Sequence, residues 1–282
     1  MDISLAEEHA YHYVSQFTPE VARDRVEQRK VQLVAGTMGS LLGRLKPEDI
    51  QLLGVENRLE PFWLVTISSR TVYDRARSYA VPVSGEDVIS VSVLGQELPV
   101  EGKDKHASFA LNAIEHCQES ARATRAFLGV KGEPADPAKY APFAKTLILD
   151  LNTFAPEGVL VVPPQLRATA VARQVIGEVI RPVQNAHTIH EERVDVEALE
   201  LNFRPVYAFE YEWSGKGKRA VIEFNALTGE INGGGKKLQD QFKGVITREL
   251  LFDVTADAVG MLVPGGSIAV KLVKAVVDRK KA

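Results

Sequence analysis

The stretch NFRPVYAFEYEWSGKGKRAVIEFNALTGEI, from Asn202 to Ile231, carries the strongest local pattern in the sequence. It reads as an apolar strand, a short turn rich in glycine and lysine, a second apolar strand and a polar turn. Its aromatic residues Tyr207, Phe209, Tyr211 and Trp213 fall on alternate positions, so they share one face of the first strand. The pattern predicts an antiparallel β-hairpin whose aromatic face packs beneath a helix.

A similar pattern occurs earlier in the chain. Glu60-Pro61-Phe62-Trp63 opens a β-rich region in the same way that Arg204-Pro205-Val206-Tyr207 opens the later hairpin. Each region follows a predicted helix, one beginning at Thr18-Pro19 and the other at Pro164. The repetition predicts two similar units. They differ in the longer arm of the first hairpin, Ser69 to Arg77, and in the basic turn of the second.

We therefore predict an α+β protein in which two similar units each place a helix on an antiparallel sheet, followed by a C-terminal helical hairpin. The helical pattern from His106 to Leu128 predicts a trailing helix in the first unit. The predicted boundaries are residues 1–130 for the first unit, 131–163 for a linker with short strands, 164–238 for the second unit and 239–282 for the helical hairpin.

The end of the hairpin also resembles a known family. From Pro205 to Ile231, and above all from Ala220, the chain resembles the end of a PepSY-type repeat, in which a strand runs into an acidic residue, two variable residues, Thr-Gly-Glu and an aliphatic residue. Asn225 stands where the family usually has aspartate. The resemblance implies a cystatin-like fold, with a helix across an antiparallel sheet. It also implies a role as a peptidase inhibitor or regulator.

Composition excludes several classes of function. The net charge of −3 and a pI near 6.1 do not favour nucleic-acid binding, which needs a basic face. Cys117 is the only cysteine, which excludes an intramolecular disulfide and a thiolate metal cluster. No secretion signal or membrane-spanning run is recognised in the sequence, so we expect a cytoplasmic protein. No cofactor motif occurs, and we expect no cofactor.

Two pairs of side chains are candidate metal ligands. His187 and His190 lie three residues apart and Asp253 and Asp257 lie four apart, spacings that place each pair on one side of a helix. The histidine pair lacks the His-Glu-x-x-His arrangement of zinc proteases. Solvated histidines and the polar stripe of an amphipathic helix are the simpler interpretations.

The later hairpin also offers a candidate binding surface. If its aromatic face is partly exposed, it forms a groove beside the basic turn. The candidate binding residues are Tyr207, Tyr211, Trp213, Lys216, Lys218 and Arg219.

The C-terminal segment from Ser267 to Asp278 predicts a helix that is apolar on most of its circumference, and such a helix is normally buried against a partner. Three alternatives remain open for this predicted helix. It covers the protein's own sheet, it contacts a protein partner or a second copy, or it makes peripheral contact with a membrane through its lysines. The favoured hypothesis is a non-catalytic binding, scaffold or self-assembling protein. The alternatives are a metal-dependent hydrolase that uses the histidine or aspartate pairs, and a peptidase inhibitor.

Overall fold

The computed structural model describes residues 1–34, 46–102, 106–215, 217–235, 251–252 and 271–274. Strand accounts for 53% of the described structure and helix for 15%. Most of the strands belong to one mixed sheet of 11 strands, and a separate pair forms a small hairpin. The protein is therefore mostly β, and the predicted α+β class is wrong.

The strands of the large sheet are β1 (Asp2–Leu5), β2 (Glu8–Tyr13), β3 (Ile50–Pro82), β6 (Ser108–Leu128), β7 (Pro134–Ala135), β8 (Lys145–Leu147), β9 (Leu160–Val161), β10 (Thr188–Trp213), β11 (Lys218–Asn225), β12 (Ile231–Gly235) and β13 (Lys271–Lys274). The small hairpin is β4 (Ser90–Val93) and β5 (Gln96–Pro99). The helices are α1 (Pro19–Glu27) and α2 (Ala168–Val179), and residues 30–34 are also helical.

Three long antiparallel strands form the centre of the sheet. β3 has 33 residues, β10 has 26 and β6 has 21, and the sheet runs in the order β12-β11-β10-β3-β6-β7. β1, β2 and β11 follow one another along the same edge of β10. Because these strands exceed the usual five or six residues several times over, the sheet extends well beyond the core that its helices cover.

The two similar motifs pair with each other. Glu60 of β3 lies opposite Arg204 of β10, and Trp63 lies opposite Leu201. The repeat therefore does not build two helix-on-sheet units, because its two β regions are neighbouring strands of one sheet. A cross-strand pairing of this kind depends on contacts between distant parts of the chain, which a local pattern does not contain.

The predicted helix from His106 to Leu128 is also wrong. Strand β6 occupies this segment and pairs with β3 from Ser108 opposite Pro82 to Leu128 opposite Phe62, without a register shift. Its alanine, leucine and glutamate content favours a helix, but the long pairing with β3 overrides that preference.

The predicted C-terminal helical hairpin is wrong at residues 271–274. Residues Lys271–Lys274 form strand β13, which pairs in parallel with β1. Apart from these and residues 251–252, the segment from 239 to 282 lies outside the described residues, and so does the rest of that prediction.

Both helices cover apolar strand surfaces, and the helix predicted at Thr18-Pro19 is confirmed. Thr18 caps α1 by accepting the Val21 N–H, and α1 buries Ala22 and Val26 against the aromatic face of β10 and β11. Helix α2 buries its own apolar face against Trp63, Val65 and Ile67 of β3 and their neighbours in β10. Alternation along β3 places Phe62 on the opposite face, where it packs with Tyr13 and Tyr140.

That opposite face also holds a charged network. Arg58 is only 1% exposed and contacts three carboxylates, Glu56 at 2.6 Å, Glu223 at 3.1 Å and Glu60 at 3.7 Å. Burial, together with the nearby Glu60, raises the pKa of Glu223. The network connects β3 to β11 by pairing charges that have left water.

Candidate interaction site

Strands β3 and β6 continue as a two-stranded ribbon beyond the end of β10. The first residue of β10, Thr188, lies opposite Asp74, so residues 75–82 of β3 pair only with residues 108–115 of β6 within the described structure. We call this ribbon the arm. At roughly 3.3 Å per residue it projects about 25 Å from the last three-stranded part of the sheet. Every β3 side chain from Ala76 to Ala80 is exposed, which shows that solvent reaches both faces of the arm.

On one face of the arm, Glu115 of β6 connects the two strands by binding side chains of β3. This carboxylate accepts hydrogen bonds from Tyr79 Oη and Arg75 Nε, and Arg77 Nη1 lies 3.4 Å away. The hydrogen bond from Tyr79, followed by that from Arg75, lowers the pKa of Glu115. The carboxylate is therefore ionised at neutral pH and holds the two strands in register.

The other face of the arm carries both apolar and polar side chains and is exposed at its centre. Ile114 is 57% exposed and lies opposite Ala76, while Asn112 lies opposite Ser78. An isolated two-stranded ribbon is marginally stable in water, so an ordered arm of this length is a strong candidate for contact with another chain.

The small hairpin β4–β5 follows β3 and precedes β6. Its turn residues Leu94 and Gly95 both have left-handed backbone angles, with φ of 50° and 78°, as in a type I′ turn. Leu94 is 99% exposed and Ile89 is 84% exposed. The turn of the hairpin and the residue just before it therefore each expose an aliphatic side chain to solvent.

At the base of the arm, one carboxylate bridges two histidines. Asp74 Oδ1 lies 2.7 Å from His116 Nδ1, and Asp74 Oδ2 lies 2.8 Å from His190 Nε2. The hydrogen bonds from His190 and then His116 lower the pKa of Asp74. Both imidazoles are exposed, with side-chain exposures of 81% and 50%. The arrangement joins the start of β10 to β3 and β6 at the point where the arm begins.

The candidate metal ligands do not form a site in the described structure. His190 is bound to Asp74, and His187 contributes its backbone N–H to the Asp74 carbonyl at 2.9 Å. Among the described residues, no group of three histidine, cysteine, aspartate or glutamate side chains is arranged to hold a metal ion. Asp253 and Asp257 lie outside the described residues.

The aromatic candidates of the later hairpin are part of the core. Tyr207 is 7% exposed and Tyr211 is fully buried. Tyr207 donates its hydroxyl to the Phe17 carbonyl at 2.9 Å, and Tyr211 donates to Glu27 Oε1 at 2.8 Å. Burial, then the bond to Glu27, raises the pKa of Tyr211. The interpretation of this face as core beneath a helix is confirmed for both tyrosines, and Trp213 packs at its margin.

The described cations of the basic turn contact a backbone carbonyl near α1 and carboxylates of the neighbouring strand. Lys218 Nζ donates to the Val34 carbonyl at 3.3 Å, next to α1. Arg219 pairs with Glu212 at 3.2 Å, and its side chain is 62% exposed. Lys216 lies outside the described residues. The structure does not bring these two cations together with the buried tyrosines.

A cleft of about 330 Å³ lies on the face of the sheet opposite α2. Tyr13, Phe62, Tyr140 and Phe143 line much of it, and the Phe62 and Tyr140 rings stack with centroids 4.4 Å apart. Its cation Lys145 is already paired with Glu200 at 2.5 Å. The cleft offers apolar contacts without an assembled catalytic group among its lining residues.

No protein-family model, curated protein or solved structure matches the chain. The resemblance of Pro205 to Ile231 to a PepSY-type repeat therefore stays a prediction. Within the described part of the chain, no helix combines the length and apolar character that a membrane-spanning segment needs.

Sequence reasoning placed one strand of the arm in a β region and missed the other. It singled out Ser69 to Arg77, which lies in β3 and runs into the base of the arm, but it assigned the partner strand to a helix. The alternation of Phe109, Leu111 and Ala113 with polar or exposed residues is the signal that could have identified β6. Asp74, His116 and His190 are far apart in sequence, and only the register of three strands brings them together.

Proposed function

We propose that this chain is a non-catalytic assembly protein that self-associates through its projecting arm. The observation that carries the proposal is the arm itself: residues 75–82 of β3 and 108–115 of β6 form an ordered ribbon that is exposed on both faces. A ribbon with so little packing of its own gains stability when another chain pairs with it or packs on it. A cytoplasmic location is part of the proposal.

The chemistry of the described residues supports binding over catalysis. The acid and base groups at the base of the arm, Asp74, His116 and His190, bind one another on an exposed surface. The free thiol of Cys117 is next to His116 in sequence, but adjacent strand residues point to opposite faces of a sheet. A thiol and an imidazole held apart in this way do not form a nucleophile–base pair.

The test is the assembly state of the full-length protein with and without the arm and the small hairpin that follows it. In the shortened variant, Ala76 is joined to Ile114 by an Asn-Gly turn, because these two residues lie directly opposite each other in the ribbon. Sedimentation velocity over a range of protein concentrations should show a concentration-dependent oligomer for the full chain and a monomer for the shortened chain.

A matched control keeps the arm and changes a remote surface. Arg219→Ala alters the exposed basic turn of the later hairpin and should leave the oligomer unchanged. Thermal unfolding of the shortened variant should stay close to that of the full chain, because the removed residues are mostly exposed. A full-length chain that stays monomeric at every concentration would overturn the proposal.

A further inference from the structure

The cleft on the sheet face opposite α2 lies between the sheet and the chain that follows β7. Leu64 of β3 and Thr124 of β6 form part of its floor, and Ala141 and Phe143 form part of its wall. Its volume of about 330 Å³ lies at the lower end of the range of small-molecule pockets, which is roughly 300 to 1,000 Å³.

Contacts within the protein hold the wall of the cleft against the sheet. Tyr140 stacks on Phe62 with ring centroids 4.4 Å apart, and its hydroxyl accepts a hydrogen bond from Arg204 at 2.9 Å. Asp136 accepts the Ala138 N–H at 2.9 Å and so fixes the turn that precedes Tyr140. The cleft is therefore formed by the fold itself, as small-molecule sites usually are.

The polar side chains that line the cleft are engaged within the protein, with one exception. The Thr124 hydroxyl shares a hydrogen bond with Thr66 at 3.0 Å, and the Tyr140 hydroxyl is bound as described above. Lys145 pairs with Glu200 at 2.5 Å. No other charged side chain is among the described residues that line the cleft, so this ion pair leaves its surface without net charge.

The exception is Tyr13, which lines the cleft and is only 5% exposed. Among the described residues, its hydroxyl has no hydrogen-bond partner. The register of β2 and β8 sets Tyr13 opposite Lys145, at the polar end of the cleft. Burial, followed by the charge of Glu200 and by Tyr140, raises the pKa of Tyr13 to about 12, so the hydroxyl stays protonated at neutral pH.

A buried hydroxyl without a partner costs free energy, and a ligand that accepts its proton in a hydrogen bond recovers part of that cost. We propose that the cleft binds a small, uncharged, largely apolar molecule whose carbonyl oxygen accepts a hydrogen bond from the Tyr13 hydroxyl. The body of the ligand contacts the apolar floor and wall. An anionic ligand is disfavoured, because the cation at the cleft is already paired and Glu200 opposes a second negative charge.

The inference goes beyond the proposed function and does not depend on it, because the cleft and the arm share no residue. It is tested with prodan, an uncharged naphthalene ketone whose emission shifts to shorter wavelength when it leaves water. Titration of the full-length protein should give a saturable shift. Tyr13→Phe should weaken prodan binding roughly fivefold, because it removes one hydrogen bond. The melting temperature should not fall, because that hydroxyl loses no partner within the described structure.

Two further comparisons assign the effect to the ketone and to its lack of charge. Dimethylaminonaphthalene has the body of prodan without the ketone, and it should bind the parent protein and Tyr13→Phe equally well. In competition with prodan, methyl naphthoate should displace the probe, whereas the naphthoate anion should need at least tenfold higher concentrations.

A substitution on the floor of the cleft tests where the probe binds. The Thr124 side chain stands on the cleft face of β6, so Thr124→Phe fills the cleft and should lower prodan affinity at least tenfold. Ser120→Phe adds the same ring on the same face of β6, four residues away and outside the lining of this cleft. It should leave the affinity unchanged.

Each comparison has an outcome that overturns the proposal. The absence of a saturable shift, or equal prodan affinity in the parent protein and Tyr13→Phe, removes the role of the hydroxyl. Binding that survives Thr124→Phe places the probe outside the cleft. Displacement by naphthoate at the same concentration as its methyl ester contradicts an uncharged ligand.

Discussion

Glu60 and Arg204 face each other across β3 and β10, and Arg204 Nη2 lies 3.0 Å from Glu60 Oε2. These are the residues that precede proline in the two similar motifs of the sequence. Arg204 also donates Nη1 to the Tyr140 hydroxyl at 2.9 Å. The ion pair joins the two central strands, and through Glu60 it connects to the buried Arg58.

Replacing Arg58 tests the energetic role of this network. Arg58→Met should lower the free energy of unfolding by about 3 kcal/mol or more, because it leaves Glu56 and Glu223 facing each other without their shared cation. Burial raises the pKa of Glu223, so its charged form is disfavoured in the folded state. Arg58 opposes that rise, so its removal raises the pKa of Glu223 further and favours the protonated carboxyl at low pH. The cost of the substitution should therefore be smaller at pH 5 than at pH 8. Urea denaturation at both pH values measures it.

An exposed ion pair provides the control for Arg58. The Arg219 side chain is 62% exposed and pairs with Glu212 at 3.2 Å. Arg219→Met should change the free energy of unfolding by less than about 1 kcal/mol. If the two substitutions cost the same, the network around Arg58 contributes no more to the stability of the fold than an exposed ion pair.

The Asp74 bridge predicts a dependence of stability on pH. Its two histidine partners lower the pKa of Asp74 in the folded state, so the bridge stabilises the fold above the unfolded pKa of about 3.9. That contribution is lost as the pH falls through the lower folded pKa. Asp74→Asn should therefore lower the melting temperature at pH 6, with the gap to the parent protein closing below about pH 4.

Two other variants separate the bridge from a general loss of charge. Asp87→Asn removes one negative charge from an exposed position near the small hairpin and should not reproduce the gap at pH 6. His116→Gln with His190→Gln should give a deficit in the melting temperature similar to that of Asp74→Asn. A deficit that persists unchanged down to pH 3 would show that the ionised carboxylate is not its source.

Local sequence patterns predicted the elements whose stability is local. Thr18 and Pro19 mark the start of α1 because capping depends on neighbouring backbone groups, and the prediction is confirmed. The hairpin of β10 and β11 is also confirmed, with Tyr207 opposite Phe224. Alternation and a short turn define such a hairpin within one stretch of sequence.

The rest of the fold depends on pairing between strands that are distant in sequence, and a local pattern does not reveal which strands pair. Strand β6 contains helix-forming residues, and its 21 pairs with β3 decide its state. The repeated Pro61 and Pro205 motifs are equally compatible with separate units or with mutual pairing, and only the register distinguishes them. The Asp74 bridge requires the same long-range register, so sequence spacing suggested His187 as the partner of His190.

The buried tyrosines beneath α1 should differ in their contributions to stability. Tyr211→Phe removes a hydrogen bond to the Glu27 carboxylate and should cost about 1 to 2 kcal/mol of unfolding free energy. Tyr207→Phe removes a bond to the neutral Phe17 carbonyl and should cost about 1 kcal/mol. Urea denaturation of both variants measures the difference.

A double-mutant cycle assigns the Tyr211 effect to its partner. Once Glu27→Ala has removed the carboxylate, Tyr211→Phe should cost clearly less than in the parent protein. An unchanged cost in that background would mean that the Tyr211 hydroxyl acts through a contact other than Glu27.

The turn of the small hairpin carries backbone strain that a substitution can release. Leu94 has a φ of 50° although its side chain is 99% exposed, so it adopts a left-handed conformation without compensating contacts in the described structure. Leu94→Asn should stabilise the hairpin by about 1 kcal/mol, because asparagine tolerates this conformation. Leu94→Ala keeps the strain and should give no gain. Amide hydrogen exchange of Val93 and Gln96 reports the local opening, and equal protection in the two variants would show that Leu94 is not strained.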